Sequence, residues 1–563
     1  MRNRRSLFAA VALLFATASL GFSLPEISGK VSPARLANLS RGINLDNYFS
    51  AYSDPQHFRF RLNAEDFALI KRMGFTFCRL PMDPGHFFDE AHPDRLRPAI
   101  RYVDKAVSMI LASGLSVMVD PIHTSSVQPR FDERLATDPG FAEKVAIYWQ
   151  AIARRYAHLD ANRVFFEIMN EPHSSAYGHV TSAWWPPVQE RFARAIRAVA
   201  PDNTLVATGE KWGGIDGLVA IRPLPDPNVV YSFHYYEPLT FTHQGASWAG
   251  KARAELSDIP YPSSPDAVRA ALARLADPHA RALLTEYGRE RWNITTIRAW
   301  IRRAVEWGRR WDVPILCGEF GVYKKVAPPE ARDRWIRDVR TVLDEYHIGW
   351  AMWDYDEGFG IVSYAYPGAK SGRIIDDRAL EALGLRPIHP SREPSPISLF
   401  AERDTSELSL PIAWWSPLWT RDHDGGNLLI ASAAGPSEPT TLPTPPLPSP
   451  PTEFVARIDH SGAHDWAVGS GLSLPVRTGE RYRLQAWAWI EGSGSCTLQA
   501  VAYDAAGRVV SWSLGSVSPE RQATWVALTS DIVVPPGVAK IEPRWSGAGP
   551  AVMWLTGMTL VRE

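Results

Sequence analysis

The sequence predicts an α/β chain: a parallel (β/α)8 TIM barrel over residues 34–386, followed by an all-β, jelly-roll-like sandwich over 453–563. Three observations carry this. Eight short β-like runs alternate with amphipathic helical runs between Arg41 and Gly384, the pattern of parallel β/α architecture. No GxGxxG follows a strand and no GxxxxGKS or GxxxxGKT motif occurs, so the phosphate turn of an open doubly wound sheet is missing. The composition then breaks at PSEPTTLPTPPLPSPP (436–451), half of it proline, and beyond it short alternating runs are separated by Gly, Pro and Ser, as in a sandwich.

The first 22 residues combine a basic start, an apolar run and a small-x-small site at Ala16-Thr17-Ala18, the layout of a cleaved secretory signal and of a secreted or periplasmic protein. Arg4-Arg5 also fits a twin-arginine signal. The expected strands are GINL (42–45), FTFCRL (75–80), LSVMVD (115–120), RVFFEIMN (163–170), TLVATG (204–209), VVYSFHYY (229–236), VPILCGEF (313–320) and IGWAMWDY (348–355). Each is a short run rich in β-branched and aromatic residues. Helical stretches such as FAEKVAIYWQAIARRYA and ARDRWIRDVRTVLDEYH lie between them. The longest insertion follows the sixth strand, from Glu237 to about Ser264. Residues 387–435 receive no assignment, and 436–452 form a Pro-rich linker or exposed loop. Within the sandwich, YRLQAWAWI (482–490) puts Tyr482, Leu484, Ala486, Ala488 and Ile490 on one face and Trp487 and Trp489 on the other. Those tryptophans are either a sugar-stacking platform or a covered face.

Lys+Arg (60) and Asp+Glu (61) nearly cancel, so no charge field points to nucleic acid or to a membrane as partner once the signal is removed. The chain is expected to be a monomer without a metal or other cofactor. Its 22 Trp, 18 Tyr and 22 Phe fill a large core and also suit a cleft for flat, uncharged ligands. Three widely spaced cysteines, Cys78, Cys317 and Cys496, make neither a disulfide framework nor a zinc site.

In a parallel barrel, catalytic groups project from the C-terminal ends of the strands. Strand four ends in Asn170-Glu171 and strand seven in Gly318-Glu319-Phe320-Gly321. Two carboxyls on separate strands can face each other across the mouth, one protonating a departing oxygen while the other attacks or activates water, as glycosidic cleavage requires. Strand two closes with Arg79, strand six with His234, Tyr235 and Tyr236, and strand eight with Trp353, Asp354 and Tyr355. No GxSxG elbow follows a strand, which disfavours a serine hydrolase.

The motifs RGINL, FCRLP, MNEPH, FHYYEP, CGEFG and WAMWDY occur in this order, and with them residues 34–386 resemble glycoside hydrolase family 5, the cellulase-type barrels of clan A. The resemblance implies a secreted retaining endo-β-glycanase with Glu171 as acid/base and Glu319 as nucleophile. It further implies Arg79 and Tyr236 beside the nucleophile, Asn170 on the sugar 2-hydroxyl, His234 beside the acid/base, and Trp353 as a subsite floor. His123 departs from the family spacing, three residues after Asp120, and is still expected in the site. Glu167 is expected in a buried ion pair, and Trp248 and Trp292 are candidates for outer subsites, with packing as the alternative for each. The C-terminal region resembles jelly-roll carbohydrate-binding modules. β-1,4-Glucan is the leading substrate, with mannan and other β-glucans as rivals. Glycan trimming or transglycosylation in exopolysaccharide assembly and non-catalytic polysaccharide binding stand as alternatives.

Overall fold

The computed structural model describes residues 30–46, 48–50, 58, 62–123, 131–173, 184–364, 373–388, 407–410, 415, 418–420, 426–432, 454–520 and 524–563. The expected signal segment and the Pro-rich stretch lie outside these residues. Eight parallel strands close into a barrel in sequence order: β1 (Arg41–Asn44), β2 (Phe77–Pro81), β3 (Ser116–Asp120), β4 (Val164–Glu167), β5 (Leu205–Thr208), β6 (Val229–Tyr235), β7 (Ile315–Phe320) and β8 (Gly349–Met352). β8 returns to β1 through Arg41↔Trp350 and Ile43↔Met352. All eight fall on the expected runs, but β4 and β8 end short of Asn170 and Tyr355. There the chain leaves the ladder for the mouth while keeping single bonds to its neighbours, such as Asn170 N–H to the Ile122 carbonyl at 3.1 Å.

Alternation sends one set of side chains inward and the other toward the helices. Cys78, Leu80, Val117, Val119 and Phe166 join the outer core. Phe77, Met118, Phe165, Val206, Val230, Leu316 and Ala351 form a separate apolar cluster with Leu39, which comes from the turn after the helix Pro33–Asn38. Gly42 lacks a side chain where the Phe77 ring lies: an added Cβ would fall within 2.3 Å of that ring. Two residues further along the strands the interior turns polar, with Asn44, Arg79, Asp120 and Glu167 all at 0 % exposure.

The surrounding helices begin on side-chain caps. Asn63 and Asp66 form a capping box for Ala64–Met73, which ends on Gly74 at φ 101°. Asp138 caps Pro139–Tyr156, with proline in its first turn. The connection after β6 contains the short helices Leu239–Thr242 and Lys251–Ala254. A two-stranded ribbon, β9 (Val362–Tyr364) with β10 (Arg373–Ile375), follows the barrel.

Two antiparallel sheets make the C-terminal unit. One runs β13 (Gly426–Ser432), β14 (Phe454–His460), β22 (Ala551–Arg562), β17 (Arg481–Gly492) and β20 (Val526–Val533), with β11 (Glu407–Ser409) added on β22. The other runs β12 (Trp419–Thr420), β15 (Asp465–Gly469), β21 (Lys540–Ala548), β18 (Thr497–Tyr503) and β19 (Val509–Val517), with β16 (Leu474–Pro475) on β21. Strands β11, β12 and β13 come from the stretch that sequence alone left unassigned. Tyr482, Leu484, Ala486, Ala488 and Ile490 enter the core between the sheets, as alternation requires. On the other face of β17, Trp489 is 5 % exposed and packs with Val455, Trp525 and Trp554. That corrects the platform reading for Trp489: neighbouring strands carry their own bulky residues on this face and cover its ring. Trp487, on the same face, is half-buried. All three cysteines are free and buried.

Gly42→Ala is expected to lower stability by about 1–3 kcal/mol through overpacking, read as a drop in the denaturant midpoint. Adding Phe77→Leu should restore part of it. An unchanged midpoint for the single variant would mean that the Phe77 ring yields freely.

Candidate active site

Arg79 is the hub of the polar layer. From the middle of β2 its guanidinium donates to Glu167 Oε2 (2.5 Å) and Oε1 (3.0 Å), Asn44 Oδ1 (2.9 Å), Glu319 Oε1 (2.7 Å), Asp120 Oδ2 (3.1 Å) and Asn170 Oδ1 (2.7 Å). Burial disfavours its charge, but Glu167, Asp120 and Glu319 more than offset this and hold its pKa well above the usual value. One cation facing three carboxylates leaves excess negative charge. Accordingly, burial raises the Glu167 carboxyl above the usual range, with Arg79 opposing and Asp120 adding to the shift. Asn44 completes the hub by donating to the carbonyls of Gly318 (3.1 Å) and Met352 (3.2 Å), tying β7 and β8 to β2.

Glu319, with its side chain 5 % exposed, accepts from Arg79 and from the Tyr236 hydroxyl at 2.9 Å. Glu171 is 28 % exposed and lies 2.7 Å from His234 Nδ1. An oxygen of Glu171, a ring nitrogen of His234 and an oxygen of Glu319 all lie within 4.8 Å of one another. These are metal-type donors, but the guanidinium already supplies the positive charge that the carboxylates attract. Burial raises both carboxyls. Glu171 is pushed up to about 7 against the opposing pull of His123 and Arg79. Glu319 is raised too, with His234 and Arg79 countering burial and Glu171 reinforcing it. His234 is driven down to about 4, chiefly by burial, so its ring is neutral at pH 7.

Backbone irregularities aim these groups. The β6–β7 register shifts between Phe233 and His234, which brings His234 opposite Glu319. Gly318 leaves room for this, since a Cβ there would lie 2.3 Å from Ser232 Oγ and 3.4 Å from His234 Nε2. Gly321 likewise admits the Trp353 carbonyl, which would stand 2.3 Å from an added Cβ. Trp353 follows β8, and its peptide bond to Asp354 is cis. His123 enters the site despite its spacing: its ring stacks on Trp353 at 5.9 Å and its Nδ1 lies 3.5 Å from Asp120. Burial would lower its pKa, but the nearby Asp120 carboxylate outweighs that and raises it.

The structure thus brings Arg79, His123, Asn170, Glu171, His234, Tyr236, Glu319 and Trp353 together. Trp248 stands on the rim, 62 % exposed and edge-on to Tyr323 at 4.8 Å. Tyr323 packs in turn with Phe359, Tyr236 and Trp353. Trp292 is different. It is 5 % exposed, donates to Glu290 and stacks near Trp300, so its reading as an outer subsite is corrected to packing at a helix junction. Sequence reasoning missed Asn44 and Trp212. Trp212 is 49 % exposed and stacks on His173 at 5.1 Å and 16°. His173 follows Glu171 and Pro172, and its Nδ1 lies 3.0 Å from the Glu171 carbonyl oxygen. The available signal was the run Lys211-Trp212-Gly213 just past β5, whose three residues all adopt positive φ.

Comparison with known proteins agrees with the barrel fold. Residues 41–358 match the family described as Cellulase (glycosyl hydrolase family 5). Endoglucanase C of Acetivibrio thermocellus is 27% identical over 327 residues, 57% of this chain and 92% of that protein. Endoglucanase 3 of Fibrobacter succinogenes is 26% identical over 359 residues, 61% of this chain, which spans about half (52%) of that protein. Among solved structures, endoglucanase Cel5A of the hyperthermophilic Thermotoga maritima superposes with a TM-score of 0.51 at 26% identity, covering 63% of this chain and 100% of that one. With a match that takes in all eight barrel strands and both carboxylates at the mouth, the chain belongs to the cellulase family, glycosyl hydrolase family 5.

Proposed function

We propose that this protein is a secreted endo-β-1,4-glucanase that cleaves with retention, Glu319 acting as nucleophile and Glu171 as acid/base. The approach of Glu171 and Glu319 oxygens to within 4.8 Å carries the reading. Retaining enzymes hold their carboxyls about 5–5.5 Å apart, whereas inverting enzymes leave about 6.5–9.5 Å for a water. The two environments suit two roles. Glu319 is nearly enclosed and receives hydrogen bonds from Arg79 and Tyr236, which favour the carboxylate needed for attack. Glu171 is the more exposed, and its pKa near 7 keeps a proton available at neutral pH.

In the first step a Glu319 oxygen bonds to the anomeric carbon as the glycosidic bond breaks, and Glu171 gives its proton to the departing oxygen. In the second, Glu171 takes a proton from water, whose oxygen displaces Glu319. Asn170 is held by Arg79 through its carbonyl oxygen, which leaves its amide N–H groups for the sugar 2-hydroxyl. Neutral His234 bridges the two acids without adding a permanent charge between them. Trp353 fits beneath the reacting sugar, and exposed Trp212, beyond Glu171, fits the leaving-group side. The N-terminal signal pattern supports export.

Glu171→Gln is expected to lower kcat on soluble β-glucan by about 10²–10⁴-fold, measured as reducing ends. On an aryl cellobioside whose leaving group needs no proton, this variant should keep its first step while Glu319→Gln shows none. Equal behaviour of wild type and both variants would reject the assignment. Because Glu171 must be protonated at rest, kcat/KM should fall as pH rises through about 7 and fall again in acid as Glu319 protonates. A profile still rising above pH 8 would contradict this. Proton NMR of the first product should show the β-anomer, and an initial α-anomer would mean inversion.

A further inference from the structure

The sandwich presents open aromatic rings on the sheet opposite the one that carries Trp487 and Trp489. In the β12–β15–β21–β18–β19 sheet, Trp466, Leu498, Ala500, Ile541 and Trp545 point into the core, so alternation turns their neighbours outward. Trp419 of β12 pairs with Ala467 of β15 and shares that outer face. Trp512 of β19 reaches Arg544 of β21, whose guanidinium lies 5.4 Å from the ring centre and donates to the Trp512 carbonyl at 2.8 Å. The two rings are 54% and 61% exposed. They stand on opposite edges of a five-strand sheet, roughly 19 Å across at about 4.8 Å per strand.

We propose that this face binds a neutral β-linked polysaccharide chain, with Trp419 and Trp512 as separate stacking rings. The strands between them carry mainly polar side chains outward, around a buried Val501. Gln499 donates to the Ser546 hydroxyl and accepts from that of Ser516, both at 2.8 Å. Lys540, Glu542 and Arg544 alternate along the outer side of β21, and Asp465 lies on β15. A protein interface would centre on contiguous apolar surface. Two isolated rings separated by amide and hydroxyl groups instead match a sugar chain, which alternates apolar ring faces with hydroxyls. Among the described residues the outer face of the other sheet offers no such opening around Trp489, where Val455 and Trp554 are buried beside it. The choice of polymer rests on the glucanase reading, and the face would hold the barrel on its substrate.

The test uses the full chain in a Glu319→Gln background, so that polymer is not consumed, with phosphoric-acid-swollen cellulose and insoluble mannan as probes. Trp419→Ala and Trp512→Ala should each weaken retention by about three- to tenfold, and together by more. Trp512→Tyr should keep most of it. Both rings are exposed, so melting midpoints should not move, and the same substitutions in the active enzyme should leave kcat on soluble β-glucan unchanged. Retention of the double variant equal to its parent, or no retention of the parent on either polymer, would overturn the proposal. Retention lost with the tryptophans in a protein inactive on every soluble glucan would sink the glucanase reading and leave this face standing.

Discussion

A fully buried guanidinium organises this barrel. Arg79 touches β1, β3, β4 and β7 at once through Asn44, Asp120, Glu167 and Glu319. A charge in that position is tolerable only because every contact is a charge-assisted or amide hydrogen bond. The same bonds hold the carboxylates where two of them would otherwise repel. Such a network is a poor source of net stability, since desolvation consumes much of the Coulomb gain. What it supplies is position: the strands converge on one planar fork, and Glu319 inherits its orientation from it. The apolar layer around Phe77 below and the polar layer above divide the barrel into a part that keeps it folded and a part that reacts.

The division of labour between the two acids follows from what surrounds each. Glu319 is tied to a permanent cation and a phenol, whereas among the described residues Glu171 has only neutral His234 at hydrogen-bond distance, and a more open side chain. Burial acts on both, so accessibility and partners separate the roles. In the proposed mechanism a covalent ester forms at the enclosed acid, and protons move at the exposed one. The aromatic rim extends this asymmetry outward, with Trp212 beyond Glu171 and Trp248 beside Tyr323 on the other loops.

Much of this was legible in the sequence because parallel strands buried on both faces leave short apolar runs, and because a barrel puts its chemistry at their ends. Arg79, Glu171 and Glu319 each end such a run. His123 was harder to place, since Pro121 and Ile122 separate it from Asp120, yet backbone bonds to Met82 carry the loop into the site. Asn44 was invisible because an Asn at a strand end has no pattern that distinguishes a hub from a cap. Trp292 and Trp489 stayed open for one reason: alternation and loop position tell which way a ring points and not what already covers it. Strands β11, β12 and β13 escaped notice because they are short or lack alternation, and their partners lie far along the chain.

The proposed mechanism turns on esterification of Glu319 by the sugar. A 2-fluoro cellobioside with an activated leaving group slows both displacement steps and lets the ester accumulate, so intact-protein and peptide masses report it directly. One added glycosyl mass is expected, on the peptide carrying Glu319, with loss of activity in step. Full inactivation with the mass on another residue, or turnover without any adduct, would contradict it.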